Sequence, residues 1–173
     1  ALLVFGEQGE KPCELDELLP KSEFSKLPNY EELMEITGIC IEKYYQETDV
    51  LHGVFESMYR EGLSAGKQYV MVASSDENLS RYKKMGFKDE GISLVHPLSR
   101  RIKLNVLVLN KETGKTGKGM NLIKGWEVWG PVSLHLYQRR IIDYSLLQKM
   151  RVRFNRAAFT IYSLVKKTVR RLK

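Results

Sequence analysis

Cysteine and histidine, which build most disulfide frameworks and transition-metal sites, are scarce in this sequence. The 173 residues include two cysteines, Cys13 and Cys40, and three widely separated histidines, His52, His96 and His135. A disulfide scaffold or a zinc site needs more of these residues at short fixed spacings, so we expect neither and predict no metal ligand. Two isolated cysteines are typical of a reducing compartment, which favours a cytoplasmic location.

Long apolar runs and an initiating methionine are also missing. No segment approaches the ~20 consecutive apolar residues of a membrane-spanning helix. The composition, 43% hydrophobic and 28% charged, is typical of one globular domain with its own core. Because the chain starts with alanine and opens directly in an apolar segment, we expect it to be N-terminally truncated.

Negative charge is nearly absent from the last quarter of the chain. From Pro131 onward, eleven lysines and arginines face one acidic residue, Asp143, which gives a net charge of +10. The preceding 130 residues carry −3, and together these give the +7 of the whole chain. Such an asymmetry indicates an acidic partner: an anionic membrane surface, an acidic protein or nucleic acid. No recognised nucleic-acid-binding module accompanies the charge, so nucleic acid is not expected.

The same region has the apolar periodicity of an amphipathic helix, which predicts a basic helical extension over residues 131–173 behind a core of residues 1–130. Three interpretations of its apolar stripe remain open: packing against the sheet, contact with an anionic membrane, and docking of an acidic protein. The stripe consists of residues three or four positions apart: Leu147, Met150, Phe154, Ala157, Ile161, Leu164 and Thr168.

Residues 33–87 have the pattern strand, helix, strand, helix. Residues 33–43 are apolar and β-branched, and residues 69–73 form a wholly apolar run, so both segments are predicted strands. Between them, residues 50–63 repeat at helical spacing, with Thr48 or Asp49 as N-cap. Such a unit is expected to pair its strands in parallel, and parallel strands that end beside a helix N-terminus bind extended or anionic ligands.

The remaining elements are predicted from shorter patterns. Residues 102–109 are a strand, and residues 111–121 (KETGKTGKGMN) are a flexible basic loop without the spacing of a nucleotide-binding P-loop. A short apolar segment around Trp126 and Trp129 is expected to end at Gly130-Pro131, with a helix starting at Val132.

One motif resembles a known superfamily. The segment NLSRYKKMGFKDEG, which starts at Asn78, resembles the signature near the end of the acyl-transferring core in the GNAT superfamily. In that signature an asparagine precedes a helix with a tyrosine, here Tyr82, and a Gly-Phe pair, here Gly86-Phe87, opens the next strand. A mixed central sheet flanked by helices is the fold that this resemblance implies.

Upstream residues resemble one branch of that superfamily, the N-acyl amino acid synthases and acyl-homoserine-lactone synthases. That branch carries Glu-x-Ser-Arg on a central strand, and Glu35-Ile36-Thr37-Gly38 matches its glutamate, with Thr for Ser and Gly for Arg. The glycine-rich phosphate loop of the acetyl-CoA-using members is replaced here by Gln46-Glu47-Thr48-Asp49. This replacement also favours the long-chain branch.

The resemblance implies catalytic roles for two residues. Glu35 would take the proton from the attacking amine, and Tyr82 would donate a hydrogen bond or a proton to the leaving thiolate. The strand after Glu35 and the first turn of the following helix would contact the acyl donor. The implied donor-binding residues are Ile39, Cys40, Ile41, Gln46, Glu47, Thr48, Asp49, Val50, Ser74 and Asn78.

The function implied is N-acyl transfer from an acyl thioester, on coenzyme A or acyl carrier protein, to an amino acid or a similar small amine. Acyl carrier protein is acidic, so it is also a candidate partner for the basic extension. The alternatives are an acetyl-CoA-dependent N-acetyltransferase and a non-catalytic acyl-binding or membrane-associated protein. We expect a cytoplasmic protein that can associate peripherally with the inner membrane face.

Overall fold

The protein folds around one five-stranded sheet with helices against it. The computed structural model describes residues 2–5, 15, 18–38, 49–96, 99, 101–118, 120 and 122–171. The strands are β1 (Leu2–Phe5), β2 (Leu33–Thr37), β3 (Tyr69–Ser75), β4 (Lys88–Val95) and β5 (Lys103–Asn110). The α-helices are α1 (Asp49–Ser64), α2 (Asp76–Lys84), α3 (Lys111–Thr116), α4 (Leu122–Gln138) and α5 (Leu146–Arg171).

The sheet is mixed, with the strand order β1-β2-β3-β5-β4. Strands β2 and β3 are parallel and are connected through α1, whereas the other three neighbouring pairs are antiparallel. The predicted mixed sheet with flanking helices is therefore confirmed. In the described part of the chain, no helix combines the length and apolarity needed to cross a bilayer.

Alternation along the strands creates two apolar faces. Met34, Val70 and Leu107 belong to the larger core, which also contains Tyr59 of α1 and Trp129 of α4. Their strand neighbours point to a second core on the opposite face, which the segment around Leu15 and Leu19 helps to cover. Each fully buried large apolar side chain contributes about 1.5–3 kcal/mol relative to its exposed state. Burial on both faces explains why the predicted strand at residues 69–73 is continuously apolar.

The central predicted elements are confirmed, with β2 shorter than predicted and α1 and β3 slightly longer. Strand β2 ends at Thr37, and Gly38 follows it with a φ of +59°, a backbone conformation that glycine adopts without strain. The rest of the predicted strand, residues 39–43, lies outside the described residues. Helix α1 begins at Asp49, as the capping pattern indicates.

The predicted loop at residues 111–121 is wrong over its first half. Helix α3 occupies Lys111–Thr116, because the Asn110 side-chain oxygen accepts a hydrogen bond from the Glu112 backbone N–H at 2.7 Å. Gly117 ends the helix with a φ of +63°. The two capping residues outweigh the flexibility that Gly114 introduces.

The predicted break at Gly130-Pro131 is also wrong. Helix α4 continues from Leu122 to Gln138 with Pro131 inside it. Trp129, Val132 and Leu136 are almost fully buried, and their packing outweighs the local cost of about 3 kcal/mol for an interior proline. The predicted boundary after residue 130 therefore lies within a helix, and the division into two domains stays a prediction.

Candidate active site

The parallel strands β2 and β3 separate at one end of the sheet. Their pairing covers three positions and ends at Glu35 opposite Met71. Beyond it, β2 continues in register with β1 as far as Thr37, while β3 continues in register with β5 as far as Ser75. A wedge-shaped gap therefore opens inside the sheet between two strands that are each held on their outer side.

A pocket of about 370 Å³ lies at this gap. Its volume is within the range of about 300–1,000 Å³ that is usual for small-molecule sites. It is lined by Leu15, Leu18, Glu35, Ile36, Thr37, Gly38, Ala73, Ser74, Ser75, Asn78, Tyr82, His96 and Leu104. The structure thus brings together four of the predicted site residues, Glu35, Ser74, Asn78 and Tyr82, from three different elements.

Glu35 is the buried carboxylate of the pocket, with 1% of its surface exposed. Strand alternation places the Glu35 side chain on the same sheet face as Leu33, whereas Met34 and Ile36 point to the larger core. The apolar residues Leu15 and Leu104 line the pocket beside it. A carboxylate that is held on a strand and shielded from water can act on a substrate proton without competition from bulk solvent.

Tyr82 approaches the pocket from α2 and is anchored on the larger core. Its ring packs edge-to-face on Phe87, with a distance of 5.2 Å between ring centroids. Burial raises the pKa of its hydroxyl, against a smaller opposing effect of the Arg81 guanidinium. Tyr59 lies nearby, and burial, followed by the interaction with Tyr82, raises the pKa of Tyr59 well above its ordinary value. The Tyr82 hydroxyl therefore keeps its proton at neutral pH and can donate a hydrogen bond.

Ser74 and Asn78 mark the junction of β3 and α2 at the pocket wall. Asn105 of the neighbouring strand β5 stabilises this junction. Its side-chain amide donates hydrogen bonds to Asp76 Oδ1 at 2.6 Å and to the Ser74 backbone oxygen at 3.5 Å. Asn105 is itself 6% exposed. The start of α2, and with it the direction of the helix that carries Tyr82, is therefore fixed by a buried amide.

Replacing Asn105 by alanine is expected to lower the free energy of unfolding by about 1–3 kcal/mol, because a charge-assisted hydrogen bond is lost from a buried position. Chemical denaturation followed by circular dichroism measures the loss. Ser93→Ala is the control, since the Ser93 hydroxyl contacts Asn105 at 3.4 Å from an exposed position. Equal losses in both variants would show that the Asp76 contact contributes nothing.

His96 is the pocket residue that sequence reasoning missed. It follows β4, a strand at the edge of the sheet, and its wide separation from the other histidines indicates no site in the sequence. Its Nδ1 accepts a hydrogen bond from the Ser99 backbone N–H at 3.1 Å, so the neutral ring carries its proton on Nε2. His96 is therefore arranged as a hydrogen-bond donor. No local sequence signal could have found it, because its position depends on the pairing of β4 with β5.

The side chains of the other predicted site residues fall outside what the structure describes. Asp49 and Val50 are the first two residues of α1, and their side chains are outside the described part of the structure, as are Ile39, Cys40, Ile41, Gln46, Glu47 and Thr48 entirely. Within the described residues, no three His, Cys, Asp or Glu side chains come together as a metal site would require.

The chain is similar to MesI, a CoA-dependent acyl-homoserine lactone synthase, with 17% sequence identity and a TM-score of 0.45. The alignment covers 69% of this chain and 58% of the MesI chain, so this chain spans less than two thirds of that structure. No protein-family model and no curated protein sequence matches the chain.

Proposed function

We propose that this protein is an N-acyltransferase that moves an acyl group from a thioester to the amine of an amino acid or a similar small molecule. The observation that carries the proposal is the gap between β2 and β3, where one pocket contains Glu35 and Tyr82. The motif that starts at Asn78 supports it, because its tyrosine lines that same pocket.

Acyl transfer of this kind makes a C–N bond and breaks a C–S bond. The amine must lose a proton, the tetrahedral oxyanion must be stabilised, and the thiolate must leave. Glu35 takes the proton of the attacking amine, and Tyr82 donates to the departing sulfur. Backbone N–H groups of β2 at the gap and the Nε2–H group of His96 are suited to bind the carbonyl oxygen as it becomes negative.

The pocket is lined from both faces of the sheet, which allows two substrates to meet in it. Two of its lining residues, Ile36 and Tyr82, belong to the larger core. Three others belong to the second core on the opposite face: Leu15, Ala73 and Leu104. A donor and an acceptor that enter from opposite faces would bring the thioester carbon and the amine nitrogen together at the gap. Such positioning accounts for a large share of the rate in two-substrate reactions.

The acyl donor is acyl-CoA or acyl carrier protein, both of which present the thioester on a phosphopantetheine arm. The apolar lining from Leu15, Leu18 and Leu104 supports a donor with a hydrocarbon chain. We propose that residues 46–50 bind its phosphate through free N–H groups at the start of α1. A long chain is favoured over acetyl by the absence of a glycine-rich phosphate loop.

Native mass spectrometry with acyl-CoAs from two to sixteen carbons tests this proposal. Asn78→Trp, which places a large ring at the pocket wall, should weaken thioester binding at least tenfold, whereas Ser80→Trp on the exposed side of α2 should not. Preference for longer chains supports the long-chain assignment, and preference for acetyl-CoA supports an acetyltransferase. Absence of binding to any thioester, including acyl carrier protein, would overturn the catalytic proposal in favour of a non-catalytic role.

Replacing Tyr82 by phenylalanine is expected to lower kcat about tenfold with little change in KM. This expected fall in kcat is smaller than the contribution of roughly 10²–10⁴-fold that is usual for general acid catalysis. It is smaller because a thiolate is a good leaving group and needs little assistance. Release of free thiol measures the rate. Tyr30→Phe is the control, since it removes a hydroxyl outside the pocket. An equal fall in both variants would deny Tyr82 a specific role.

A further inference from the structure

Helix α5 presents a continuous apolar surface to solvent. Its 26 residues span about 39 Å at 1.5 Å per residue. Leu147 is 77% exposed, Phe154 65% and Ile161 64%. Other exposed members of the same surface are Leu146, Met150, Leu164, Val165 and Val169. Packing of the predicted stripe against the sheet is therefore wrong for the described residues.

The inner face of α5 is already occupied by the rest of the protein. Val152 and Asn155 are each 8% exposed, and both lie against α4 in a small cavity that Trp129 also lines. At about 100° per residue, this packed face is centred roughly 150° around the helix from the exposed apolar stripe. The helix therefore has a core-facing side and a separate apolar side that nothing in the described structure covers.

Positive charge borders the exposed stripe. The helix contains eight lysines and arginines and no aspartate or glutamate. With about 100° per residue, Lys149, Arg153, Arg156 and Lys167 fall on one flank of the stripe and Arg151 on the other. Among the α5 cations whose side chains the structure describes, none forms an ion pair with a described carboxylate. The charges are therefore available to an external anionic partner.

We infer that α5 binds the surface of an anionic lipid membrane, with its apolar stripe at the acyl-chain boundary and its flanking cations on the phosphate groups. A large apolar stripe bordered by lysine and arginine along the whole helix is the arrangement of helices that lie in the membrane interface. Each cation near such a surface adds attraction to anionic lipids. The membrane binding is independent of the proposed acyl transfer, because α5 contributes no residue to the pocket at the gap.

The charges favour lipid over a second copy of this chain. Two copies that paired through the stripe would bring eight cations from each helix into proximity, and like charges in an interface oppose association. An acidic protein would satisfy the charges. Lipid also accounts for the length of the stripe, which continues from Leu146 to Val169. That side of the helix carries no acidic or amide side chain.

Vesicle co-sedimentation of the full chain tests the inference. The vesicles are equal parts phosphatidylglycerol and phosphatidylcholine, with pure phosphatidylcholine as the neutral comparison. We expect binding to the anionic vesicles that is at least about tenfold stronger and that weakens as salt rises, because the Debye length falls. Binding to both vesicle types with equal affinity would overturn the role of the cations.

The double variant Phe154→Asp, Ile161→Asp is expected to lower the vesicle partition coefficient at least about tenfold, because it places two carboxylates in the stripe. Both positions are exposed, so the fold should tolerate the change. The control is Ser57→Asp, Ser64→Asp, which adds the same charge at exposed positions of α1. Equal losses in the two double variants would show that net charge alone governs binding.

Two further results would overturn the inference. In one, the protein binds acyl carrier protein through α5 but does not sediment with anionic vesicles. In the other, sedimentation equilibrium shows a dimer that the Phe154→Asp, Ile161→Asp variant dissociates, without any vesicle binding. Thioester binding measured on the same variants should be unchanged, so failure of this inference leaves the acyltransferase proposal intact.

Discussion

Replacing Glu35 by glutamine is expected to lower kcat for acyl transfer about a thousandfold. The two side chains have nearly the same shape, but glutamine has no basic oxygen to accept the proton of the attacking amine. Loss of a general base typically costs 10²–10⁴-fold, roughly 3–5 kcal/mol in the transition state. Glu35 should fall in the middle of this range because it is buried at the wall of the pocket, where water is a poor substitute base.

The measurement is release of thiol from an acyl-CoA in the presence of the amine, combined with native mass spectrometry of donor binding. Glu32→Gln serves as the matched control, since Glu32 is an exposed carboxylate three residues earlier in the chain. Donor binding should persist in Glu35→Gln while turnover is lost. An unchanged kcat would remove Glu35 from the mechanism, and loss of donor binding would assign it to substrate binding instead.

Replacing Trp129 by alanine is expected to lower the free energy of unfolding by about 3–5 kcal/mol, the usual cost of emptying a buried aromatic site. Trp129 is 3% exposed, and its ring meets Tyr59 edge-on with 4.0 Å between ring centroids. Its Nε1–H donates to the Met85 backbone oxygen at 2.9 Å. The side chain therefore ties α4 to α1 and to the turn that follows α2.

Chemical denaturation measures this loss, and two variants separate its causes. Trp129→Phe keeps most of the ring volume but removes the hydrogen bond to Met85, so it should cost about 1–3 kcal/mol. Phe154→Ala removes an aromatic ring of similar size from an exposed position and should change stability by less than about 0.5 kcal/mol. A comparable loss at Phe154 would mean that α5 packs its stripe against other parts of the chain.

Local patterns predicted the elements that carry the candidate site. The β-branched run before Gly38 gives β2, the apolar run of residues 69–73 gives β3, and the capped helical repeat between them gives α1. Parallel pairing follows from that order, because the helix returns the chain to the end of the sheet where the first strand began. The second strand therefore runs in the same direction as the first. The expectation that Glu35 and Tyr82 belong to one site depended on the family resemblance, and the structure places both at one pocket.

Elements whose signals conflict with their surroundings were predicted less well. Gly130-Pro131 indicates a helix end, but the burial of Trp129 and Val132 keeps α4 continuous. His96 carries no local signal at all. Strand β5 lies between β3 and β4 in the sheet. This order brings the last residues of β4, and His96 after them, to the end of the sheet where β2 and β3 separate.

The sequence by itself determined the periods, charges and caps of this protein, because each of these depends on neighbours within a few positions of the chain. It therefore specified that α5 is amphipathic and strongly basic. Only the tertiary structure decided which side of α5 is covered. A helical repeat defines an apolar stripe but not its partner, and here Val152 and Asn155 supply the packed side while Phe154 and Ile161 remain exposed. The separation of β2 from β3 has the same origin, since each strand is held by a different neighbour that is distant in sequence.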